Sequence, residues 1–429
     1  MRTILLGLNE LSFPLIEKYI QQNYLPNFKK LFAQHGYTET TSEQEYKLLE
    51  PWIQWVTVHT GKSYSEHQVM RLGDIVERPD LMQIFEVLEN KGYRVGAVSP
   101  FNAANHLKNP AFFVADPWTK TPSSGNPLLK KLAQAVSQAV NDNAQARISV
   151  QSILAIVCSL AYYTPMQDYA WYLNQLLQVR SNVATKALIL DKLLSDVFIQ
   201  EWKSTQPDFS LLFLNSGAHL QHHYLFNSRV YSGPLRNPEW YCPAQQDPLL
   251  AIYQLYDNTI GRLLKLPNVR LVLATGLSQQ AHEELTFYWR LKEHAKFLQL
   301  MGINDFTAVH PRMSRDFLVE FADSTAAEQA KQKLLSCHAL DKTPIFSVDN
   351  RGKSLFVELT YPHDITQDMQ IIANATVIPH FRNFVAFVAL KNGEHNAVGY
   401  YLDTTQPART QPIPLTQVYD LVIEGVKAK

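Results

Sequence analysis

The sequence predicts an α/β fold with a doubly wound, mainly parallel sheet. Short apolar runs alternate with longer segments of helical periodicity, a pattern typical of consecutive βαβ units. Several of these runs end in polar residues, as strands of open α/β sheets do at the carboxyl ends where ligands bind. At 429 residues the chain suits one large core with insertions, or two domains.

Four apolar runs are predicted as strands of the sheet, and helical patterns lie between them. The strands are expected at residues 3–8, 94–98, 209–214 and 270–275. The helices are expected at residues 13–22, 51–60, 81–91 and 249–266. Residues 1–126, 207–312 and 379–429 are therefore predicted to form three parts of the α/β core, closed by a helix at residues 415–426.

Two segments interrupt this pattern. Residues 127–206 are predicted to form a helical insertion or cap, because segments rich in Ala, Gln and Leu continue without a strand-like run. Residues 313–378 are predicted to form a small α+β subdomain with an antiparallel sheet. Its strands are expected at residues 317–321, 345–348 and 354–359, with a turn at residues 349–352.

Composition excludes several classes of partner. Lys+Arg and Asp+Glu both number 39, so no overall charge attracts nucleic acid, and no nucleic-acid partner is expected. Cys158, Cys242 and Cys337 are scattered, which disfavours a disulfide framework and favours a reducing, cytoplasmic location. Residues 153–163 are too short to cross a bilayer core of about 30 Å, so no transmembrane segment is expected. Peripheral membrane contact through that stretch stays open, and the oligomeric state is not indicated.

Three histidines follow the strand predicted at residues 209–214. His219 and His223 are four residues apart, so on a helix their rings share one face and could share a metal ion. His222 points about a third of a turn away, and we take it with Asn215 as a candidate for substrate contact. The alternative is a solvated, polar start of a helix.

Six short segments, in order, resemble motifs of a known family. They read LLGLNELSF at 5–13, LPNF at 25–28, TGK at 60–62 before His67, GAHLQHH at 217–223, TGLS at 275–278 and GEH at 393–395 before Gly399. This order is similar to that of the alkaline phosphatase superfamily and, more narrowly, its type I phosphodiesterase/nucleotide pyrophosphatase branch. The resemblance implies an alkaline phosphatase-like sheet. It spans most of the chain apart from the helical insertion.

The departures from the family pattern lie at its metal ligands. The family binds two zinc ions through a first-strand Asp, a Ser, Thr or Cys nucleophile, an Asp-x-x-x-His pair, an Asp-His pair and a late His. By position, the first Asp becomes Asn9, the Asp-His pair becomes Gly276-Leu277, and the nucleophile falls at Glu50 or Pro51. The resemblance therefore implies that one metal site is lost, and two-metal phosphoryl transfer is not expected.

The other metal site keeps nitrogen ligands. Its Asp position becomes His219, and its His positions are matched by His223 and His395. Three histidines with an open fourth position can hold a catalytic zinc ion, which lowers the pKa of bound water to about 7. The sequence thus predicts one zinc ion at these residues, with Glu10 or Glu50 as general base. The alternative is a metal-free, hydrogen-bonded pocket.

Other candidate residues have two interpretations each. Glu50 is a ligand, base or carboxylate nucleophile, or it caps the helix that begins at Pro51. Glu10 is a base, or it caps the next helix. Asn9 and Arg290 are expected to orient the substrate, Arg290 by clamping a phosphate; the alternative for Arg290 is an exposed cation on a helix.

Two functions follow from these predictions. The first is hydrolysis or transfer at a phosphoester or another ester. The expected substrate is linked to a sugar, a nucleotide or a lipid, and it is either a small molecule or a glycan-linked one. The second is a catalytically inactive relative that serves as a binding or assembly protein, for example in cell-envelope polysaccharide biosynthesis. Metal-free transfer chemistry at Glu50 is a third interpretation.

Overall fold

The computed structural model describes residues 1–141, 149–312, 315–373 and 376–426. The chain divides into two compact units. The larger comprises Met1–Ala281 and Gly393–Lys429, and the smaller comprises His282–Asn392. None of the described helices is long and apolar enough to span a membrane.

The regular elements are numbered in chain order. The strands are β1 Arg2–Leu8, β2 Thr38–Thr41, β3 Val95–Val98, β4 Phe112–Val114, β5 Phe209–Leu214, β6 Val269–Ala274, β7 Ser278–Leu291, β8 Phe306–Pro311, β9 Asp316–Phe321, β10 His338–Ala339, β11 Phe346–Asn350, β12 Ser354–Leu359, β13 Ile371–Ala373, β14 Thr376–Ile378, β15 Val385–Asn396, β16 Val398–Asp403 and β17 Ile413–Pro414. The helices are α1 Phe13–Gln21, α2 Pro26–His35, α3 Pro51–Thr60, α4 Tyr64–His67, α5 Ile84–Asn90, α6 Pro127–Asn141, α7 Val150–Tyr163, α8 Tyr169–Gln178, α9 Thr185–Thr205, α10 Ser216–Tyr224, α11 Pro248–Leu263, α12 His294–Leu300, α13 Ser324–Leu335 and α14 Gln417–Glu424.

The larger unit is built on an eight-stranded sheet. Its strand order is β17-β2-β16-β6-β1-β5-β3-β4. The five strands from β6 to β4 run parallel, whereas β16 pairs antiparallel with both β6 and β2. The central strand β5 is buried along its whole length, as a strand covered on both faces requires. The predicted mainly parallel α/β sheet is confirmed.

Among the described residues, the segment 127–206 contains four α-helices, α6 to α9, and no strand. The longest of them, α9, packs against β5 and against the helices α10 and α11. All residues of α9 from Leu193 to Ile199 are buried, so this part of the helix is covered on every side. The insertion is thus attached to the core beside the strand that precedes the histidine cluster.

The smaller unit extends beyond the predicted subdomain of residues 313–378. It contains a four-stranded antiparallel sheet in the order β11-β12-β9-β8 and a three-stranded sheet in the order β10-β13-β14. Its apolar core includes Trp289 and Leu291 of β7 and Val385 of β15. Because these side chains are buried there, residues 282–312 and 379–392 belong to this unit rather than to the α/β core.

Candidate functional site

Three adjacent parallel strands end at the same edge of the larger sheet. β1 lies between β5 and β6, with Leu8 opposite Leu214. Just beyond the strands, the amide of Asn9 donates to the carbonyl of Leu214 at 3.1 Å, and the amide of Glu10 donates to the carbonyl of Thr275 at 3.0 Å. The polar residues that follow the three strands therefore meet, as the fold class predicts.

Glu10 is the centre of this meeting point. Its side-chain Oε1 accepts a hydrogen bond from Asn9 Nδ2 at 2.9 Å. Its Oε2 lies 2.6 Å from Gln279 Nε2, 2.9 Å from His222 Nε2 and 3.2 Å from His395 Nε2. Four nitrogen atoms thus surround one buried carboxylate, with three of them on a single oxygen.

Each of the two histidine rings faces an oxygen at both of its nitrogens. His222 Nδ1 lies 3.1 Å from the carbonyl oxygen of Gly393, and His395 Nδ1 lies 3.9 Å from Oε2 of Glu50. A carbonyl oxygen only accepts, so Nδ1 of His222 carries the proton of that hydrogen bond. In a neutral ring, Nε2 then presents a lone pair to the Glu10 carboxylate. The geometry calls for a second proton or a cation at this point.

These residues form a candidate metal site. Glu10, His222 and His395 each offer one ligand atom, and the three atoms lie within 4.8 Å of one another. In the part of the chain that the structure describes, this is the one group of His, Cys, Asp or Glu side chains that meets this criterion. Two imidazoles and one carboxylate are a donor set of zinc hydrolases, and hydrogen bonds from the second ring nitrogen commonly orient such ligands. The donor set therefore fits a divalent metal.

The electrostatics keep the carboxylate ionised. Burial alone would raise the pKa of Glu10, but positive charge on His395 and His222, with hydrogen bonds from both rings, outweighs it and holds the pKa of the carboxyl well below its ordinary value. The side chains of Glu10, His395, His222 and Glu50 are 3%, 13%, 28% and 32% exposed, respectively. The anion thus lies at the floor of a site that opens to solvent at His222 and Glu50.

Close approach of β15 to α10 places His222 and His395 together. A Cβ atom at Gly393 would overlap the side-chain oxygen of Gln279 and lie 2.9 Å from the carbonyl oxygen of Gln221, so only glycine fits this position. Gln221 in turn donates to the backbone carbonyl of Glu10 at 2.8 Å. β15 and α10 therefore pack closely together, and α10 is hydrogen-bonded to the backbone of Glu10.

The first turn of α10 is fixed by two buried polar side chains from neighbouring helices. Ser216 N donates to Asp191 Oδ2 at 3.0 Å, and Gly217 N donates to the Tyr256 hydroxyl at 2.7 Å. The same hydroxyl donates to Asp191 Oδ2 at 2.6 Å. With Gly217, Leu220 and other residues of that face buried, the rotation of α10 about its axis is determined by packing.

The structure brings together a different group of candidate metal ligands from the set predicted from the sequence. The rings of His219 and His223 do lie side by side, with centroids 4.8 Å apart, as their spacing predicts. However, His395 meets His222, at a centroid distance of 5.0 Å, and His219 is exposed. The convergent group is therefore Glu10, His222 and His395, because the buried face of α10 turns His222 rather than the other two rings toward Glu10 and β15.

Asn9 supports the Glu10 carboxylate through a hydrogen bond, and its predicted contact with a substrate stays a prediction. It is buried, its Nδ2 donates to both Glu10 and Asn215 Oδ1, and its Oδ1 accepts from Trp55 Nε1 at 2.7 Å. Both amide hydrogens are therefore used inside the protein. Asn215 takes part through the same hydrogen bond, at 2.8 Å.

Glu50 and Arg290 occupy different units. Glu50 precedes α3 at its N-cap position, but its side chain makes no capping hydrogen bond, and its carboxylate lies beside His395 in the larger unit. Arg290 lies on β7 in the smaller unit, on a strand and not on the helix considered for it. Its predicted role as a phosphate clamp stays a prediction.

Sequence reasoning missed Gln279, Gln221 and Gly393. Gln279 follows the predicted strand end within four residues, whereas Gln221 and Gly393 lie inside the GAHLQHH and GEH motifs without a role assigned to them. The signal was their position at a strand end or beside a candidate ligand. Their roles depend on contacts between segments more than 50 residues apart in sequence, as between Gln279 and Glu10.

The similarities found to known proteins are similarities to solved structures. No known protein-family model matches the chain, and no curated protein matches it. Similar solved structures include phosphonoacetate hydrolase from Sinorhizobium meliloti 1021 (10% identity, TM-score 0.46, covering 100% of this chain and 96% of that one). They also include human ectonucleotide pyrophosphatase/phosphodiesterase 5 (10%, 0.45, 100% and 96%) and the alkaline phosphatase of the Antarctic bacterium TAB5 (9%, 0.41, 99% and 97%), of which a variant holds Mg.

At these identities and TM-scores the likeness carries no information about substrate or mechanism. The resemblance to the alkaline phosphatase superfamily rests on the six ordered sequence motifs, and the observed sheet is of the α/β class that this resemblance implies.

Proposed function

We propose that Glu10, His222 and His395 hold one divalent metal ion, with zinc as the first candidate. We further propose that the site hydrolyses or transfers a phosphoester, or another ester, of a sugar-, nucleotide- or lipid-linked substrate. The proposal rests on the position of two ring nitrogens beside one buried carboxylate oxygen. Nε2 of His222 and Nε2 of His395 lie 2.9 and 3.2 Å from Oε2 of Glu10. A cation bound by all three atoms removes the clash of lone pairs at Nε2 of His222.

When bound, a zinc ion supplies Lewis acidity and lowers the pKa of a coordinated water to about 7. The remaining steps fall to the side chains of this chain. Glu50 is the proposed general base, because it lies at the open side of the site, whereas Glu10 is buried and surrounded by donors. His219 and His223, on the adjoining face of α10, are proposed to contact the substrate.

The proposed hydrolysis changes no oxidation state, so it needs no oxidant or reductant. The oxygen of water bonds to the phosphorus or the carbonyl carbon of the ester, and Glu50 accepts the proton that this oxygen loses. The bond to the leaving oxygen breaks, and the leaving oxygen takes up a proton. In a transfer reaction, an acceptor hydroxyl replaces the water.

Metal binding is tested with a matched pair of histidine variants. Protein stripped with a chelator is titrated with zinc by calorimetry, and the metal content after dialysis is measured by elemental analysis. We expect one zinc ion per chain, a large loss of affinity in His222→Ala, and little change in His219→Ala. Both variants lose the same ring from the same helix, so general effects on α10 cancel.

Two outcomes would contradict the assignment of ligands. A loss of affinity in His219→Ala but not in His222→Ala would restore the set predicted from the sequence. Wild-type protein that retains no zinc after supplementation would reject the metal altogether.

Catalysis is tested with aryl phosphodiester, phosphomonoester and acetyl ester reporters, each with and without zinc. We expect turnover of at least one class, reduced by about 10²- to 10⁴-fold in Glu50→Gln, the range that general-base catalysis contributes. The stoichiometry of zinc should be unchanged in that variant. If no reporter is turned over while zinc is bound at one per chain, the hydrolase proposal fails for these ester classes.

A metal-free binding protein is the second candidate function. The observation in its favour is that the ring nitrogens already lie at hydrogen-bonding distance from Glu10, so a doubly protonated His222 also satisfies the geometry. In that case the wild-type protein binds no zinc and turns over no reporter. A phosphoester would nevertheless raise its melting temperature, and His222→Ala would abolish that shift.

A further inference from the structure

The helical insertion exposes an unusual amount of apolar surface. Within residues 150–179, large apolar side chains are exposed on α7, on α8 and next to α8. This segment holds more than half of the exposed large apolar side chains that the structure describes. They are Val150, Ile153, Leu154, Val157, Tyr162, Met166, Tyr169, Leu173, Leu176, Leu177 and Val179.

The exposed side chains of α7 form a continuous stripe. Val150, Leu154 and Val157 follow one another at intervals of four and three residues, so they lie on one face of the helix. The opposite face is also occupied, because Ala155 and Tyr163 are buried against the protein. A helix that is apolar on both faces needs a second apolar environment.

The charges of the insertion are divided by sign. In residues 127–141 and 149–206, every acidic side chain is engaged inside the protein. Asp168 and Asp196 pair with Lys192, at 2.6 and 2.8 Å. Glu201 accepts from the Tyr163 hydroxyl at 2.8 Å, and Asp191 accepts from Ser216 and Tyr256, as described above.

The described basic side chains other than Lys192, by contrast, are exposed to solvent. Lys130, Lys131, Arg180, Lys186 and Lys203 are all exposed. Lys130 and Lys131 belong to the end of α6 that meets the end of α7, since Asn126 donates to the Tyr163 hydroxyl at 3.0 Å. Arg180 follows α8 directly. Cations thus stand near the ends of α7 and α8, and the described part of the insertion exposes no acidic side chain.

We propose that this surface, α7 and α8 with the flanking basic residues, docks on a membrane leaflet that contains anionic lipids. Helices that lie in a membrane interface combine an exposed apolar face with Lys and Arg at its border. Anionic headgroups supply the counter-charges that the insertion itself does not expose. The chain as a whole carries no net charge, so this attraction is local to the insertion.

The same distribution of charge disfavours a second copy of this chain as the occupant. In a symmetric dimer through this face, the basic residues of one copy would approach those of the other. Like charges near one another oppose such an interface unless acidic residues separate them. The membrane proposal concerns a surface separate from Glu10 and its ligands, and it stands whether or not the proposed chemistry does.

Flotation of the full-length protein with vesicles tests the proposal. Vesicles of phosphatidylcholine with phosphatidylglycerol should carry the protein to the lipid fraction, and vesicles of phosphatidylcholine alone should carry less. High salt should weaken binding to the anionic vesicles. Lys130→Gln with Lys131→Gln should lower partitioning by about fivefold for each lysine, the factor that corresponds to about 1 kcal/mol per basic residue at an anionic surface.

A matched pair of double variants separates the insertion from general apolar exposure. Leu154→Gln with Val157→Gln should abolish flotation, whereas Leu300→Gln with Leu340→Gln should leave it unchanged. All four side chains are exposed, and the second pair lies in the smaller unit. Circular dichroism verifies that both variants are folded.

A direct readout comes from Cys158, which is exposed on α7 while Cys242 and Cys337 are buried. An environment-sensitive dye on this thiol should shift to the blue when anionic vesicles are added. Protein that stays out of the lipid fraction, with no dye shift, overturns the proposal. A shift without lipid, together with a doubled mass in sedimentation, also overturns it and assigns the face to a homodimer.

Discussion

Replacement of Asp191 by Asn should change how the stability of the larger unit depends on pH. Asp191 lies on α9 and is fully buried, where its Oδ2 accepts hydrogen bonds from Tyr256 and from the backbone of Ser216. Burial raises the pKa of the Asp191 carboxyl from 3.8 to about 6, because these hydrogen bonds offset only part of the cost of removing its charge from water. The pKa of Tyr256 is also raised, mainly by burial, so its hydroxyl stays neutral throughout this range.

The sign follows from proton binding. Between pH 3.8 and about 6, folded Asp191 keeps a proton that the unfolded chain has released. The group therefore favours folding most strongly below its unfolded pKa, and this contribution is lost as the pH rises through the folded pKa. A difference of about two pKa units at about 1.36 kcal/mol each amounts to about 3 kcal/mol over the full range.

Asn has no proton to release, and its Oδ1 can accept the same two hydrogen bonds. The free energy of unfolding of Asp191→Asn minus that of the wild type should therefore rise by about 2 to 3 kcal/mol from about pH 4 to pH 7. Urea denaturation at a series of pH values measures this difference, and titrations common to both proteins cancel. Asp305→Asn, which makes the same change at an exposed position, is measured in parallel as the control. A difference for Asp191→Asn that does not change with pH would refute the idea that the fold penalises this charge.

Three further substitutions test buried contacts of the larger unit. Gly393→Ala should weaken zinc binding and cost about 1–3 kcal/mol in urea denaturation, because the new Cβ overlaps atoms of α10 and β7. Asp403→Asn should lower the free energy of unfolding by about 3–5 kcal/mol in the same assay, because the buried Arg270 then lacks the carboxylate that lies 2.6 Å from it. The double variant Arg270→Met with Asp403→Leu should recover most of this lost stability. Trp55→Phe should cost about 1–3 kcal/mol and lower zinc affinity in calorimetry, since it removes the donor to the buried Asn9 Oδ1. Unchanged stability in any of the three single variants would show that the contact named contributes little.

The parallel core of the fold could be predicted because its strands are short, continuous apolar runs. The strand predicted at residues 209–214 is observed with the same bounds, as β5 Phe209–Leu214. The long strands β7 and β15 were not predicted at their full length, since their residues are mixed in polarity and pair with each other across about a hundred residues of sequence. Strand propensity depends on such tertiary partners, so the sequence left a helix open as the alternative for Arg290, which lies on β7.

At the site, helical periodicity predicted relations between side chains but not their direction. It placed His219 and His223 together and His222 on another face, and the ring geometry agrees. Which face turns toward Glu10 depends on Gly217 and Leu220, whose burial sets the rotation of α10. The periodicity of a single helix contains no information about that rotation.

The carboxylate at the end of β1 belongs to Glu10, one position after the residue that matches the first acid of the family motif. In the family that the sequence resembles, the acid stands at the position of Asn9; here Asn9 donates to Glu10, and Glu10 supplies the charge. Glu10 reaches the site with a left-handed backbone, φ +57°, a conformation that costs a residue other than glycine about 1–3 kcal/mol. Hydrogen bonds from Glu10 N to Thr275 and from Gln221 to the Glu10 carbonyl hold that conformation. Because the added methylene of Glu and the turned backbone together bring a carboxylate to the strand end, the negative charge that the proposed metal site requires comes from position 10, while Asn occupies position 9.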